Sequence, residues 1–302
     1  MKKFIYIFLI FIFYVCNSFS AFEEDNNSVR ASSLGGAMTS LYDDVSVIFF
    51  NTASIGLIPT DSSIKLDVQY ANKYGIEGYN LYSGNLVFTK FKIFGLRPGF
   101  SFIREGVSDI ISETRFKIGF SKPKNDLSVN GLSFNIGTSI NYYKISASGE
   151  QLDSGDNALT SKSAIGFDFG VLLVKNNFSF GFAIKNIMLG ENFDNSIRSR
   201  FGISYIIPEH SSILSMDFEP IKGIKGYERE WVKIGSLKIG KGFYPMFNFG
   251  FEKVVKRILI FRVGLKDFKI NLGLGVKFKN ITAEYSFTTE EVGNTHRIGI
   301  KL

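Results

Sequence analysis

The sequence predicts an all-β fold: a closed antiparallel transmembrane β-barrel of about fourteen strands, with a short, partly helical segment ahead of it. Three observations predict it. The chain opens with an export signal. Segments of strict period-two alternation then recur, long enough to cross a bilayer when tilted. The connections between them alternate between short and long.

Lys2 and Lys3 precede an apolar run from Phe4 to Val15. A run of about a dozen residues suits a signal peptide and falls short of the roughly 18 that span a membrane as a helix. Ser18 and Ser20 place small residues at the usual cleavage positions, so residues 1–20 are expected to be removed before Ala21. The rival reading, an uncleaved anchor, is weakened by Asn17 and Ser18, which stop the apolar run early. The only cysteine, Cys16, lies inside the signal, and Phe13-Tyr14-Val15 does not make a lipobox. The mature chain is therefore expected to carry neither disulfides nor thiol chemistry. Loss of Lys2 and Lys3 takes the formal charge from +7 to +5. That mild basicity is too diffuse to argue for nucleic acid.

Residues 21–60 do not alternate. Leu34, Ala37, Met38 and Leu41 follow helical spacing, which predicts a short helix capped by Ser32 or Ser33. Asp43-Asp44 then precedes a small apolar run, Val45 to Phe50, that ends at Asn51-Thr52-Ala53. Such an arm is either an ordered N-terminal extension with capping acids or a plug in the barrel mouth.

Residues 61–302 carry the alternation. Leu132, Phe134, Ile136, Ile140 and Tyr142 alternate with Ser133, Asn135, Gly137, Ser139 and Asn141. Ile270, Leu272, Leu274, Val276 and Phe278 face away from Asn271, Gly273, Gly275 and Lys277. One face is rich in Phe and aliphatic residues; the other is Gly, Ser, Asn, Lys and Arg, which suits a lumen better than a second packed sheet. Lys117, Asn135, Asn141, Lys185, Asn271 and Lys277 are the candidate polar lumen residues. Strands are expected near 62–71, 80–90, 97–104, 113–121, 129–144, 163–174, 178–187, 200–207, 211–218, 244–252, 257–265, 269–278, 281–287 and 294–302. Connections after even strands are short, whereas 145–162, 188–199 and 219–243, after odd strands, are long. This puts both barrel ends in the periplasm. A further pair of short strands within Trp231–Ile239 would raise the count to sixteen.

Leu34-Gly35-Gly36-Ala37, Asp43-Asp44, Ser46 and Asn51-Thr52-Ala53 resemble the N-terminal signature of FadL-type outer-membrane proteins. That superfamily includes long-chain fatty-acid transporters and the PorV/PorQ proteins of type IX secretion. Toward the other end, Arg262-Val263-Gly264, Gly273-Leu274-Gly275, Ala283-Glu284-Tyr285-Ser286-Phe287 and Gly293-Asn294-Thr295-His296-Arg297 are similar to its last strands. The resemblance implies a fourteen-stranded barrel with an N-terminal hatch in the bacterial outer membrane. Its gating set would be Leu34, Gly35, Gly36, Ala37, Asp43, Asp44, Asn51, Thr52 and Ala53. Thr52 stands where the family has Pro, and Leu302 ends the chain where an aromatic is usual.

Nothing in the sequence calls for catalysis. His210 sits in an expected turn and His296 opens the last strand, neither with a partner legible from sequence. No paired metal-ligand spacing appears, and no cofactor is expected. Glu150, Asp153 and Asp156 in a long loop read as solvated acids sooner than as a cation site. The expected function is passage of a hydrophobic or amphipathic, fatty-acid-like molecule past the hatch. The polar lumen set argues against an apolar pocket, although its cations could hold a carboxylate headgroup. The alternative is a PorV-like barrel that binds or shuttles secretion-system proteins through loops 145–162 and 219–243, the latter with Lys222, Lys225, Tyr227, Arg229 and Trp231. A general porin is disfavoured by the hatch.

Overall fold

A computed structural model describes residues 28–107, 110–123, 128–129, 131–147, 161–189, 197–222, 233–234, 237–238, 243–290 and 292–302. The signal segment, the acids of loop 145–162 and the charged and aromatic residues from Lys225 to Trp231 lie outside the described residues.

Among the described residues, fourteen long strands form one antiparallel sheet. They are β1 (Ile64–Asn72), β2 (Tyr79–Phe88), β3 (Arg97–Val107), β4 (Ile111–Ser121), β5 (Leu132–Ala147), β6 (Lys162–Lys175) and β7 (Phe178–Leu189). The second half comprises β8 (Arg198–Ile207), β9 (Ser212–Lys222), β10 (Phe243–Val255), β11 (Leu259–Lys266), β12 (Lys269–Phe278), β13 (Ile281–Thr289) and β14 (Asn294–Lys301). Each pairs with its neighbours in sequence, and β14 returns to β1 in a register running from Asp67↔Lys301 to Asn72↔His296. Closure leaves no open edge, which in hydrocarbon would strand unpaired backbone groups. Each expected strand is found within a few residues of its place. The extra pair within Trp231–Ile239 does form, as a hairpin of Lys233–Ile234 with Leu237–Lys238, but it belongs to a separate sheet, so the barrel count is fourteen and not sixteen.

Burial is inverted relative to a water-soluble protein. On β12, Asn271, Gly273 and Gly275 are buried while Leu272, Leu274 and Val276 are exposed. On β5, Ser133, Asn135, Gly137, Ser139 and Asn141 point inward and the Phe and Ile residues between them point out. The outer face is laced by cross-strand aromatic contacts, such as Phe182–Phe201 at 4.8 Å and Phe218–Phe247 at 5.2 Å between ring centroids. Alternation is thus satisfied with bilayer on one side and the lumen on the other.

The lumen is filled by residues 28–58, nearly all buried. The helix expected over 34–41 is not there. A single-turn helix α1 (Val29–Ser33) precedes it, with the Ser28 side chain accepting from the Ala31 amide at 2.9 Å. Helical spacing at Leu34, Ala37, Met38 and Leu41 misled because Gly35 (φ +64°) and Gly36 (φ +85°) turn the chain into the left-handed region just after Leu34. Two 3-10 helices follow: Val45–Phe49 capped by Asp44, and Thr52–Leu57 capped by Asn51. Thr52 takes the first helical position, where a Pro would only supply a preset φ. The Asn51 side chain, accepting from the Ala53 amide at 3.1 Å, organises that turn instead. Ile48, Phe49 and Ile55 pack with Leu81, Val87 and Ile103 of the wall, so the apolar core lies inside the barrel.

Candidate functional site

The luminal segment is held in two ways. Its first part, 28–44, uses its own charged side chains. Arg30 donates to Glu252 of β10 at 2.9 Å from both Nε and an Nη, and to both Asp43 oxygens at 2.8 and 3.1 Å. Glu252 also takes Arg262 of β11 at 2.6 Å, and Arg262 reaches Glu284 of β13 at 2.7 Å. Lys301 of β14 bridges Glu284 (2.8 Å) to Asp44 (2.5 Å). The network therefore links the segment to four of the five closing strands, β10, β11, β13 and β14. Asp217 of β9 adds a separate anchor: its carboxylate accepts the Met38 and Thr39 amides at 3.1 and 3.0 Å and the Thr39 hydroxyl at 2.6 Å, while Arg200 of β8 donates to the Gly36 carbonyl.

Burial alone would push the Asp44 carboxyl up. Lys301 and Arg30 outweigh it and hold it well below the usual carboxylate range. Burial would likewise lower Arg30; Asp43, Glu252 and Asp44 overcome that and raise it.

The second part, 45–58, has no charged side chain and is gripped by its main-chain carbonyls. Lys117 of β4 donates to Ile48 O at 2.8 Å and pairs with Asp168 of β6 at 2.7 Å. Lys185 of β7 donates to Phe49 O. Arg97 of β3 reaches Ile55 O and Ile58 O at 2.9 and 2.7 Å. Ser121 and Asn135 donate to Ala53 O at 2.8 and 3.3 Å. Asn51 answers from the segment's side, donating to Val171 O at 2.9 Å.

Where backbone meets wall, the wall is glycine. A Cβ on Gly181 would stand 2.0 Å from Thr39 O, on Gly264 2.2 Å from the Gly35 amide, and on Gly137 2.5 Å from the Ala53 amide. No side chain fits at these places without expelling the segment. Gly273, read from sequence as a small lumen residue, faces the Ser33 side chain, whose Cβ a side chain there would meet at 2.3 Å.

Of the residues singled out from sequence, Leu34, Gly35, Gly36, Ala37, Asp43, Asp44, Asn51, Thr52 and Ala53 all lie on this segment, and all but the half-exposed Asp43 are in or near the wall contact. Lys117, Asn135 and Lys185 bond to the segment directly. Asn141 is buried and accepts from Ser139 at 3.3 Å; Asn271 donates to Lys269 O at 3.2 Å. Neither has a bond to the segment. Lys277 departs from expectation: it has luminal parity but lies at the periplasmic end of β12, exposed, beyond the reach of the segment. Period two fixes a face and not a depth, which is why it was included. Sequence reasoning gave no site role to Arg30, Arg97, Arg200, Asp217, Glu252, Arg262, Glu284 and Lys301, although Arg262 and Glu284 stand in the motifs of the closing strands. The seven on strands share a usable signal: each is a charged residue at inward parity within an otherwise greasy-and-small alternation. Arg30 had none.

His210 lies exposed in the turn before β9, and His296 accepts or donates at 2.8 Å to the Tyr285 hydroxyl on the outer face. Among the described residues no group of His, Cys, Asp or Glu could hold a metal ion.

The comparisons follow this architecture. In solved structures the chain is similar to the toluene transporter TbuX of Ralstonia pickettii (TM-score 0.57, 11% identity, 91% of this chain and 96% of that one). It is also similar to a FadL homologue of Pseudomonas aeruginosa (0.55, 12%, 95% and 98%) and to the toluene transporter TodX of Pseudomonas putida (0.54, 12%, 94% and 98%). At such identities these likenesses concern the fold, which is the FadL-type outer-membrane barrel that the motifs at the two ends implied. No curated protein matches the chain. A family model described as "Type IX secretion system membrane protein PorP/SprF" matches residues 79–301, from β2 to β14. The chain is thus an outer-membrane β-barrel that belongs to the PorP/SprF family of type IX secretion system membrane proteins.

Proposed function

We propose that this protein is a plugged barrel whose role in secretion is to bind and present other proteins at the outer membrane, and not to conduct small solutes at rest. The observation that carries the reading is the use made of the lumen: the wall's cations, amides and hydroxyls are spent on residues 28–58, and the glycine wall is shaped to that backbone. The wall's apolar residues Leu81, Val87 and Ile103 are likewise covered by Ile48, Phe49 and Ile55, so the lining an amphiphile would need is taken up while the segment is seated. The family match supports a secretion role. On this reading Leu34–Ala37 and Asn51–Ala53 seat the plug, Asp43 and Asp44 clamp it, and partners meet the protein at its ends.

A second reading is supported by the fold shared with TbuX and TodX, whose names describe toluene transporters: the same segment serves as a hatch that shifts to let a small apolar molecule pass. The test is to purify the protein from its own membranes in mild detergent and identify by mass spectrometry what accompanies it. A stoichiometric protein partner without a luminal amphiphile supports the first reading. A fatty-acid-like or hydrocarbon ligand, lost when residues 28–58 are deleted, would overturn it in favour of the second.

A further inference from the structure

The lipid-facing wall is not uniform at its outer rim. Along β5 the outward residues run Leu132, Phe134, Ile136, Thr138, Ile140 and Tyr142, then change to Lys144 and Ser146. Ten residues at ~3.3 Å, tilted by ~40°, span about 25 Å of bilayer normal, the height of an outer-membrane apolar band. Lys144 therefore stands where hydrocarbon gives way to headgroups. The register carries the same boundary across two neighbours: Lys144 pairs with Thr114 of β4, and Thr114 with Arg104 of β3. One step toward the membrane centre, Tyr142, Phe116 and Phe102 form an aromatic row with ring centroids 6.5 and 4.9 Å apart.

Arg104 and Lys144 are exposed, and neither makes an ion pair among the described residues. The acid next to Arg104 is already used: Glu105 has the opposite parity and binds Lys73 at 2.9 Å. Along β3, β4 and β5 these two are the lysine and arginine at outward positions near the outer ends. A cavity of about 210 Å³ opens beside Arg104, lined also by Asn80, Tyr82, Ser112 and Ser146. Gly106 (φ +152°) also lines it and lets β3 and β4 close together, since a Cβ there would meet Ile111 O at 2.1 Å.

We propose that the outer rim of β2–β5 is a binding site for one molecule of the phosphorylated glycolipid of the outer leaflet, lipopolysaccharide. Arg104 and Lys144 each take one phosphate of its lipid A headgroup, and acyl chains lie on the Phe102–Phe116–Tyr142 row. The two cations are two strand spacings apart, about 10 Å, which suits a headgroup phosphorylated at both ends and not a phospholipid with a single phosphate. Charge-assisted bonds from a guanidinium and an ammonium supply the affinity, while the hydroxyls and the amide around the cavity supply sugar contacts. Both cations stay at the interface, where their desolvation cost is small. This site is on the outside of the wall and stands whether or not the lumen is a plug.

The test uses the full-length barrel in mild detergent and native mass spectrometry, with bisphosphorylated lipid A as probe. Its dephosphorylated form, phosphatidylglycerol and inorganic phosphate are the comparison arms. The expected result is one tightly bound lipid A, at least about tenfold preferred over phosphatidylglycerol and not displaced by inorganic phosphate. The R104A/K144A pair should lose about tenfold or more, R104K/K144R should retain most of the binding, and Lys175→Ala at the opposite rim should change nothing. Lys144→Gln alone gives the same reading with a smaller loss should the double alanine variant not reach the folded barrel. Equal binding of dephosphorylated lipid A or phosphatidylglycerol, displacement by inorganic phosphate, or undiminished binding by folded charge-free variants overturns the site.

Discussion

The two parts of the luminal segment meet the wall by opposite means. Residues 28–44 reach out with Arg30 and Asp44 to the closing strands β10–β14, where Glu252, Arg262, Glu284 and Lys301 complete a charge network, while Asp43 pairs with Arg30 inside the segment. Residues 45–58 offer bare carbonyls, and the opening strands reach in to them with Arg97, Lys117, Ser121 and Lys185. The difference teaches where information about docking is stored. In the first part it lies in the segment's own side chains. In the second it lies in the wall, and the segment need only present a backbone of the right shape.

The largest expected effect comes from breaking the first grip. Arg30→Ala strands Glu252 and Asp44 near each other with one cation fewer, and loss of one partner from a buried pair costs about 3–5 kcal/mol. Conductance in a planar bilayer should rise from near zero, and a cysteine placed at Ser32 should become reactive to a water-soluble thiol reagent. A variant that stays closed and unreactive would show that the charge network does not hold the segment.

Breaking the second grip requires a change in the wall. Lys117→Ala leaves Ile48 O without its donor and Asp168 without its cation, although Asp168 still accepts the Asn186 amide at 2.9 Å. A loss of about 1.5–3 kcal/mol is expected. Reactivity of a cysteine at Ser54 should rise more than that of one at Ser32. Equal rises at both positions would mean that the two parts move as one body and that the distinction has no energetic content.

The same distinction explains what was legible in the sequence. The barrel was, because period two is enforced residue by residue: each position of β5 or β12 either meets lipid or does not. The extra pair near Trp231 was rightly noticed as a hairpin, yet nothing in a short alternation says which sheet it joins. The luminal segment was legible in part through Asp44, one of the expected capping acids; the helix cap expected at Ser32 or Ser33 falls to Ser28, and Asn51, read only as the end of the apolar run, caps the next turn. Its helix was misplaced because spacing at Leu34–Leu41 cannot outweigh two glycines at positive φ. The grips themselves were mostly hidden. Arg30 and Glu252 are 222 residues apart, and only closure of the ring makes them neighbours. Asn135, Lys117 and Lys185 were found by parity alone; parity also admitted Lys277, which has the right face at the wrong depth.

A smaller effect is expected from trimming side chains within the second part. Ile55→Val removes one methylene from the cluster with Leu81, Val87 and Ile103, worth about 0.5–1.5 kcal/mol, and leaves the Arg97 bond to Ile55 O in place. Thermal unfolding should shift slightly with no change in conductance. An open channel in this variant would place the hold of residues 45–58 in its side chains and erase the contrast with residues 28–44.

The smallest effect, and the finest test of the contrast, is pH. Asp44 is held well below the usual carboxylate range when docked, against about 3.9 for a free Asp. A carboxyl whose pKa is depressed on docking contributes stability that is complete above its free value and is lost as pH falls through the docked one. Between pH 8 and 5 neither part should loosen. Under stronger acid, once the pH passes below the free value, the Asp44 clamp to Lys301 and Arg30 weakens, whereas residues 45–58 carry no carboxylate of their own to protonate. Oxidant-trapped labelling or hydrogen exchange read at Ser32 and Ser54 along an acid titration should therefore separate, with Ser32 opening first. Coincident opening would mean that the two parts unseat as one body and that the Asp44 clamp does not set the first part apart.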